Sequence, residues 1–188
     1  MPFYRYVVGM WVAVGIVWLI ASFAAKKVTR RQTSASRLVQ FAIIVIAYAL
    51  VFSTNLDIGP LAWRVLPDSP IVGWTGLIIA ALGCGFAVWA RLLLGGNWSA
   101  TVTVKQDHQL IRRGPYRIVR HPIYFGLLLG LLGAAIALDE LRGYIGVTLA
   151  LISWRMKLQV EESFMMQEFG ADYAAYRREV KALIPFVL

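Results

Sequence analysis

Long uncharged blocks separated by short charged stretches organise this chain. Residues 7–25 are 19 uncharged, mostly apolar positions, enough helix to cross a hydrocarbon core of about 30 Å. A second block covers 38–56, with Gln40 near one end, and a third covers 71–90, with Arg91 placed to snorkel at its end. The fourth covers 122–138, and a fifth starts near Gly143. Between them, 57–70 carries Asp57, Pro60, Arg64, Pro67, Asp68 and Pro70, a loop composition, and 95–121 is polar and basic. Asp139, Glu140 and Arg142 make a tight turn between blocks four and five. The pattern predicts an all-α fold, a polytopic membrane bundle of about five transmembrane helices. It forms a single domain over 1–188, with a three-span scaffold in 1–90 and the last helical hairpin with its flanking polar segments in 91–188.

Basic residues orient the bundle. Counted by connection, lysine plus arginine runs one, five, one, five, one, and five more follow the last block. Positive charge collects on the cytoplasmic side, so the amino terminus is expected outside and the carboxyl terminus inside. Lys26, Lys27, Arg30, Arg31 and Arg37 behind the first block disfavour its reading as a cleaved signal peptide. The expected location is the inner membrane of a prokaryote. The net charge of +9 and the 59% apolar content fit lipid partners, and nucleic acid is not expected. Cys84 is the single cysteine, and the two histidines form no HExxH, so no metal site is expected. No glycine-rich phosphate loop is present.

The fifth block is too short. Its uncharged part, 143–154, makes only about 18 Å of helix. The helix must therefore continue through Arg155 and Lys157, to about Phe169, and ionisable groups at that depth often mark a site. Equal rise on both arms of the last hairpin then sets Arg120 and His121 level with Glu161 and Glu162. Pro122 suits the first helical turn, which turns a positive dipole end toward the same place. The adjacent glutamates diverge by about 100°, so one of them is expected to face the groove. Gly126, Gly130 and Ala134 form a small-residue stripe that suits helix packing. Phe169, Tyr173 and Tyr176 recur at helical spacing and read as an interfacial aromatic face, or alternatively as a wall for a cofactor ring or a sulfonium.

Several segments resemble the isoprenylcysteine carboxyl methyltransferase family, part of a membrane superfamily that includes phospholipid N-methyltransferases. They are Gly95-Gly96-Asn97-Trp98-Ser99, His108-Gln109-Leu110, the run from Gly114 to Gly126 with Arg120-His121-Pro122-Ile123-Tyr124, then Glu161-Glu162, Phe169-Gly170 and Tyr173 to Tyr176. The resemblance implies S-adenosylmethionine as cofactor, bound at the cytoplasmic end of the last hairpin. It places His121, Pro122, Tyr124 and Gly126 beside that cofactor, with Glu161 or Glu162 closing the pocket. Gly114, Tyr116, Arg117, Tyr173 and Tyr176 complete the cofactor-binding set. Arg120, Glu161 and Glu162 are the implied catalytic residues, with Arg120 near a reacting carboxylate. The implied acceptor is lipophilic or prenylated. An amine acceptor would need a glutamate base, and a non-catalytic carrier or assembly protein explains the spans equally well.

Overall fold

In the computed structural model of the chain, the described residues are 2–23, 28–31, 34–53, 56, 58–95, 103–105 and 110–185. Five long helices follow the apolar blocks: α1 Pro2–Ser22, α2 Ser34–Phe52, α3 Pro70–Leu94, α4 Pro122–Leu138 and α5 Leu141–Glu179. Their ends have local causes. Ser69 caps α3 by accepting from the Ile71 amide at 3.2 Å, with Pro70 in the first turn. Gly95 closes α3 at φ 54°, and Pro122 opens α4. Asp139, left-handed at φ 55°, ends α4. The long fifth helix follows its expected course through Arg155 and Lys157, then bends sharply at Gly170, where φ is 47° and ψ is −118°. Only glycine adopts that backbone readily.

One feature lies outside the all-helical expectation. A short antiparallel ribbon pairs β1, Val28–Arg31, with β2, Thr103–Lys105. It ties the α1–α2 connection to the α3–α4 connection, so both lie at one end of the bundle. The carboxyl-terminal tail joins the same end, which is termed the basic end below.

Helices α3 and α4 pack most closely, α2 lies along α5, and α1 lies against α3. The close approach follows from missing side chains. A Cβ on Gly83 would sit 2.3 Å from the Gly130 nitrogen, one on Gly126 2.6 Å from the Ala87 nitrogen, and one on Gly133 2.2 Å from the Ala80 nitrogen. Glycines and alanines thus fill the interior, while Val12, Ile16, Leu19, Phe41, Ile46 and Leu82 point outward. An apolar exterior of this extent is a lipid-facing surface. Among the described residues two helices, Phe3–Ser22 and Pro70–Leu94, are long and apolar enough to cross a membrane; the apolar stretches Arg37–Phe52 and Pro122–Leu138 are shorter.

Two charged groups depart from their expected exposure. Arg91 does not snorkel: it is buried at 1% exposure, and its guanidinium donates to the carbonyls of Ala21 and Gly95. The reason is that carbonyls at the ends of α1 and α3 lack helical donors and carry the negative end of each dipole. The turn at 139–142 is likewise buried and paired. Asp139 accepts from Arg64 and from the Leu66 amide, each at 2.8 Å. Arg142 meets Glu140 and reaches the carbonyls of Leu50 and Ser53 at the end of α2.

Candidate active site

The basic end brings α4 and α5 together at the depth the hairpin arithmetic requires. Twenty residues of α5, from Leu141, span about 30 Å, so Glu161 and Glu162 begin just past that length. Glu162 is nearly enclosed and is met from several sides. Arg120 holds it with two parallel contacts, Nε to Oε1 at 2.8 Å and Nη2 to Oε2 at 3.0 Å. His121 Nε2 lies 3.1 Å from Oε1, and the Tyr173 hydroxyl donates to Oε1 at 2.9 Å. Arg177 Nε approaches Oε2 at 3.0 Å. Glu161 accepts from the Tyr124 hydroxyl at 2.5 Å, with His121 Nδ1 3.4 Å from its other oxygen. Both glutamates therefore face the groove, contrary to the expectation of one. His121 lies between them and reaches one with each ring nitrogen.

The electrostatics follow from this geometry. Burial pushes the His121 imidazole down, but hydrogen bonds and charge from Glu161 and Glu162 outweigh that and raise it above its ordinary value. Burial pushes Glu162 up, while hydrogen bonds from His121 and Arg120 and their charges bring it down to about 2. The pair is thus ionised at neutral pH, with His121 biased toward the imidazolium.

Aromatic rings continue the site into the bundle. His121 stacks on Tyr124 with centroids 5.8 Å apart, and Tyr124 stacks on Trp154 at 5.9 Å. Lys157 Nζ sits 5.5 Å from the Tyr124 centroid. On the other side, the bend at Gly170 returns the end of α5 over the glutamates. Tyr176 then donates to the Tyr116 carbonyl, and Arg112 lies over the Tyr176 ring at 5.3 Å. The tail completes the closure. The amides of Arg120 and His121 donate to the carbonyls of Lys181 and Ala182 at 2.8 and 2.9 Å, and Leu183 is fully buried.

Of the residues singled out from sequence, Arg120, His121, Tyr124, Glu161, Glu162 and Tyr173 converge in one network. Tyr176 and Tyr116 adjoin it, the Tyr116 hydroxyl pointing to the Ala90 carbonyl on α3. Pro122 is buried in the first turn of α4. Gly114 forms the preceding turn at φ 58° against Leu93, and Arg117 is exposed there. Gly126 is a correction: its open face meets Gly83 and Ala87 of α3, because the backbones touch there, so it serves packing and not the groove. The Arg120 donors are taken by Glu162 and by the carbonyls of Arg177 and Val180. Residues 96–99, His108 and Gln109 lie outside the described residues. Sequence reading missed Trp154 and Arg177. Trp154, Lys157 and Glu161 share the i, i+3, i+7 face of α5, a signal that was available. Arg177 reaches Glu162 only because of the bend, which no spacing rule conveys.

The phospholipid methyltransferase family profile matches residues 71–172. The chain belongs to that family. A probable protein-S-isoprenylcysteine O-methyltransferase of Oryza sativa subsp. japonica is 28% identical over 163 residues, 84% of each chain. The protein-S-isoprenylcysteine O-methyltransferase of Xenopus laevis is 31% identical over 131 residues, 65% of this chain and 45% of the frog protein. The solved structure of the eukaryotic intramembrane Ras methyltransferase, an isoprenylcysteine carboxyl methyltransferase, superposes with a TM-score of 0.52 at 24% identity. That match covers 80% of this chain and 63% of the other. The resemblance read from the motif segments is therefore borne out, and the chain is an integral membrane methyltransferase. The relatives named are eukaryotic and do not bear on the prokaryotic membrane expected from sequence.

Proposed function

We propose that this enzyme moves a methyl group from S-adenosylmethionine to a carboxylate on a lipophilic acceptor of the prenylated cysteine type. The observation carrying this reading is the closed network of Arg120 and His121 with Glu161 and Glu162, at the mouth of a hairpin whose outer surface is apolar. In this reading five helices cross the membrane, with the amino terminus outside and the basic end in the cytoplasm. The donor set suits the cofactor. Stacked rings at Tyr124 and Trp154, with Tyr173 nearby, offer faces to a flat base and to a sulfonium, and Glu161 offers a carboxylate to its ammonium or ribose hydroxyls. Bound there, the cofactor supplies an electrophilic methyl group.

The protein's own residues have limited work in such a transfer. Alignment of acceptor and methyl contributes most. A carboxylate acceptor is ionised at neutral pH, given an ordinary pKa of about 4, and needs no general base. Arg120 is a brace in this scheme. It fixes Glu162 and ties it to the end of α5, while His121 sets the separation of the two glutamates. The family's name raises an amine acceptor as the second reading, in which Glu161 would take the proton. The isoprenylcysteine O-methyltransferases among its relatives favour the carboxylate.

Calorimetry with S-adenosylhomocysteine on detergent-solubilised protein tests the site. Wild type is expected to bind in the micromolar range. Glu161→Gln and His121→Ala are expected to weaken binding at least about tenfold, each lost contact being worth about 1.5–3 kcal/mol where a charge is involved. No binding by folded wild type at millimolar ligand would overturn the assignment.

A further inference from the structure

The sequence singled out Lys157 for its depth, and the cofactor set does not use it. Four residues before Glu161 on α5, it stands about 6 Å toward the bilayer from the glutamates. Its ammonium lies over the Tyr124 ring, whose hydroxyl bonds Glu161, and its charge acts on Glu161. Trp154, 7% exposed, stacks on the same ring. Lys157 therefore sits on the bilayer side of the glutamates, beside the stacked rings of Tyr124 and Trp154. We infer that Lys157, not Arg120, fixes the anionic group of the acceptor. The inference rests on the methyltransferase site proposed above.

Two observations support the assignment. Arg120 has its forked face on Glu162 and its remaining nitrogen on two carbonyls. A second carboxylate there would displace Glu162, its closest ion-pair partner. Charge balance points the same way. The two glutamates face Arg120, Arg177 and Lys157, so positive charge exceeds negative before His121 is counted. S-adenosylmethionine, with sulfonium, ammonium and carboxylate, brings a further net positive charge. A ternary complex is then balanced by an anionic acceptor, and a cationic amine would add to the repulsion. An ammonium is suited to this task because it orients a carboxylate from one side as a point charge, leaving an oxygen lone pair open for attack. In the step itself, that oxygen forms a bond to the methyl carbon as the carbon–sulfur bond breaks. The bonding pair stays on sulfur, yielding a neutral thioether and a methyl ester.

The test compares Lys157→Met and Lys157→Arg with wild type in the full-length, detergent-solubilised protein. N-Acetyl-S-farnesylcysteine serves as the carboxylate probe and phosphatidylethanolamine as the amine probe. For Lys157→Met the KM for the farnesylated acid is expected to rise at least tenfold. Its kcat at saturation should stay within about threefold, and affinity for S-adenosylhomocysteine within twofold. Lys157→Arg should restore most of the KM. An unchanged KM in folded Lys157→Met overturns the inference, as does a parallel loss of S-adenosylhomocysteine affinity, which would mean a structural role. Wild type that binds S-adenosylhomocysteine but methylates phosphatidylethanolamine, or leaves the acid untouched, overturns the inference and the carboxylate acceptor proposed above, and leaves the cofactor site standing. Wild type that does not bind S-adenosylhomocysteine removes the site reading and the inference with it.

Discussion

Glu162 concentrates the energetics of the site. Its side chain is 9% exposed and that of Arg120 is 7% exposed, so each is compensated chiefly by the other and by their shared partners. Removing one partner of a buried pair leaves an uncompensated charge, at a cost of about 3–5 kcal/mol. Glu162→Ala is therefore expected to lower the thermal midpoint clearly, while Glu179→Ala, on an exposed position, leaves it near wild type. The pH dependence has two limbs. Glu162 is held at about 2, below its ordinary 4.5, so its contribution is complete above the ordinary value and fades as pH falls toward 2. His121 is raised above 6.5, so its contribution is complete below that value and fades as pH climbs through the raised one. Thermal stability is expected to be greatest at about pH 5–6.5. His121→Gln should flatten the alkaline limb and also weaken the acid limb, because His121 helps hold Glu162 down; an unaltered alkaline limb would contradict the role assigned to His121.

At the scale of elements, the α3–α4 pair is the frame on which the site is mounted. Without a hydrophobic drive between helices in lipid, packing of small residues holds such pairs together. Gly83 and Gly126 each lie against the other's backbone, whereas Gly85 has open space where a Cβ would project. Gly83→Leu is expected to destabilise the solubilised protein by about 1–3 kcal/mol or more, through overpacking. Gly85→Leu adds only outward-facing apolar surface and should be tolerated. Equal thermal midpoints for the two variants would refute a backbone contact between α3 and α4 at Gly83. The same frame explains why the stripe at Gly126, Gly130 and Ala134 was legible in sequence while its partner was not. Gly76, Ala80, Gly83, Ala87 and Ala90 form the matching face of α3, but within a helix that is apolar all round no pattern says which face turns inward.

For the whole molecule, the orientation proposed above is open to direct measurement. Cys84 is buried at 5% exposure, so it should give little background to a thiol label. Asp68→Cys, on the α2–α3 connection, is expected to react with a membrane-impermeant maleimide in intact cells. Arg178→Cys, near the end of α5, should react only after permeabilisation. The reverse pattern would invert the bundle and move the glutamate pair to the outer surface. The ribbon between β1 and β2, the basic turn at 110–121 and the tail at 180–183 all gather at the end labelled by Arg178. The orientation therefore also decides which compartment supplies the methyl donor.

The sequence by itself determined the five helices, the start of α4 at Pro122, and the depth at which Arg120–His121 and Glu161–Glu162 meet. These are local or additive properties. Apolar length sets a helix, a proline or glycine sets its end, and a constant rise per residue sets height along a straight hairpin. Tertiary structure alone decided which partners each side chain took. Rotation of each helix about its axis turned Gly126 to α3 and both glutamates to His121. The left-handed backbone at Gly170 folded Tyr173 and Arg177 back over Glu162, and the tail then claimed the Arg120 and His121 amides. Spacing fixes how far along a helix a group lies; the direction it faces, and who reaches it first, depend on every surface packed against it at once.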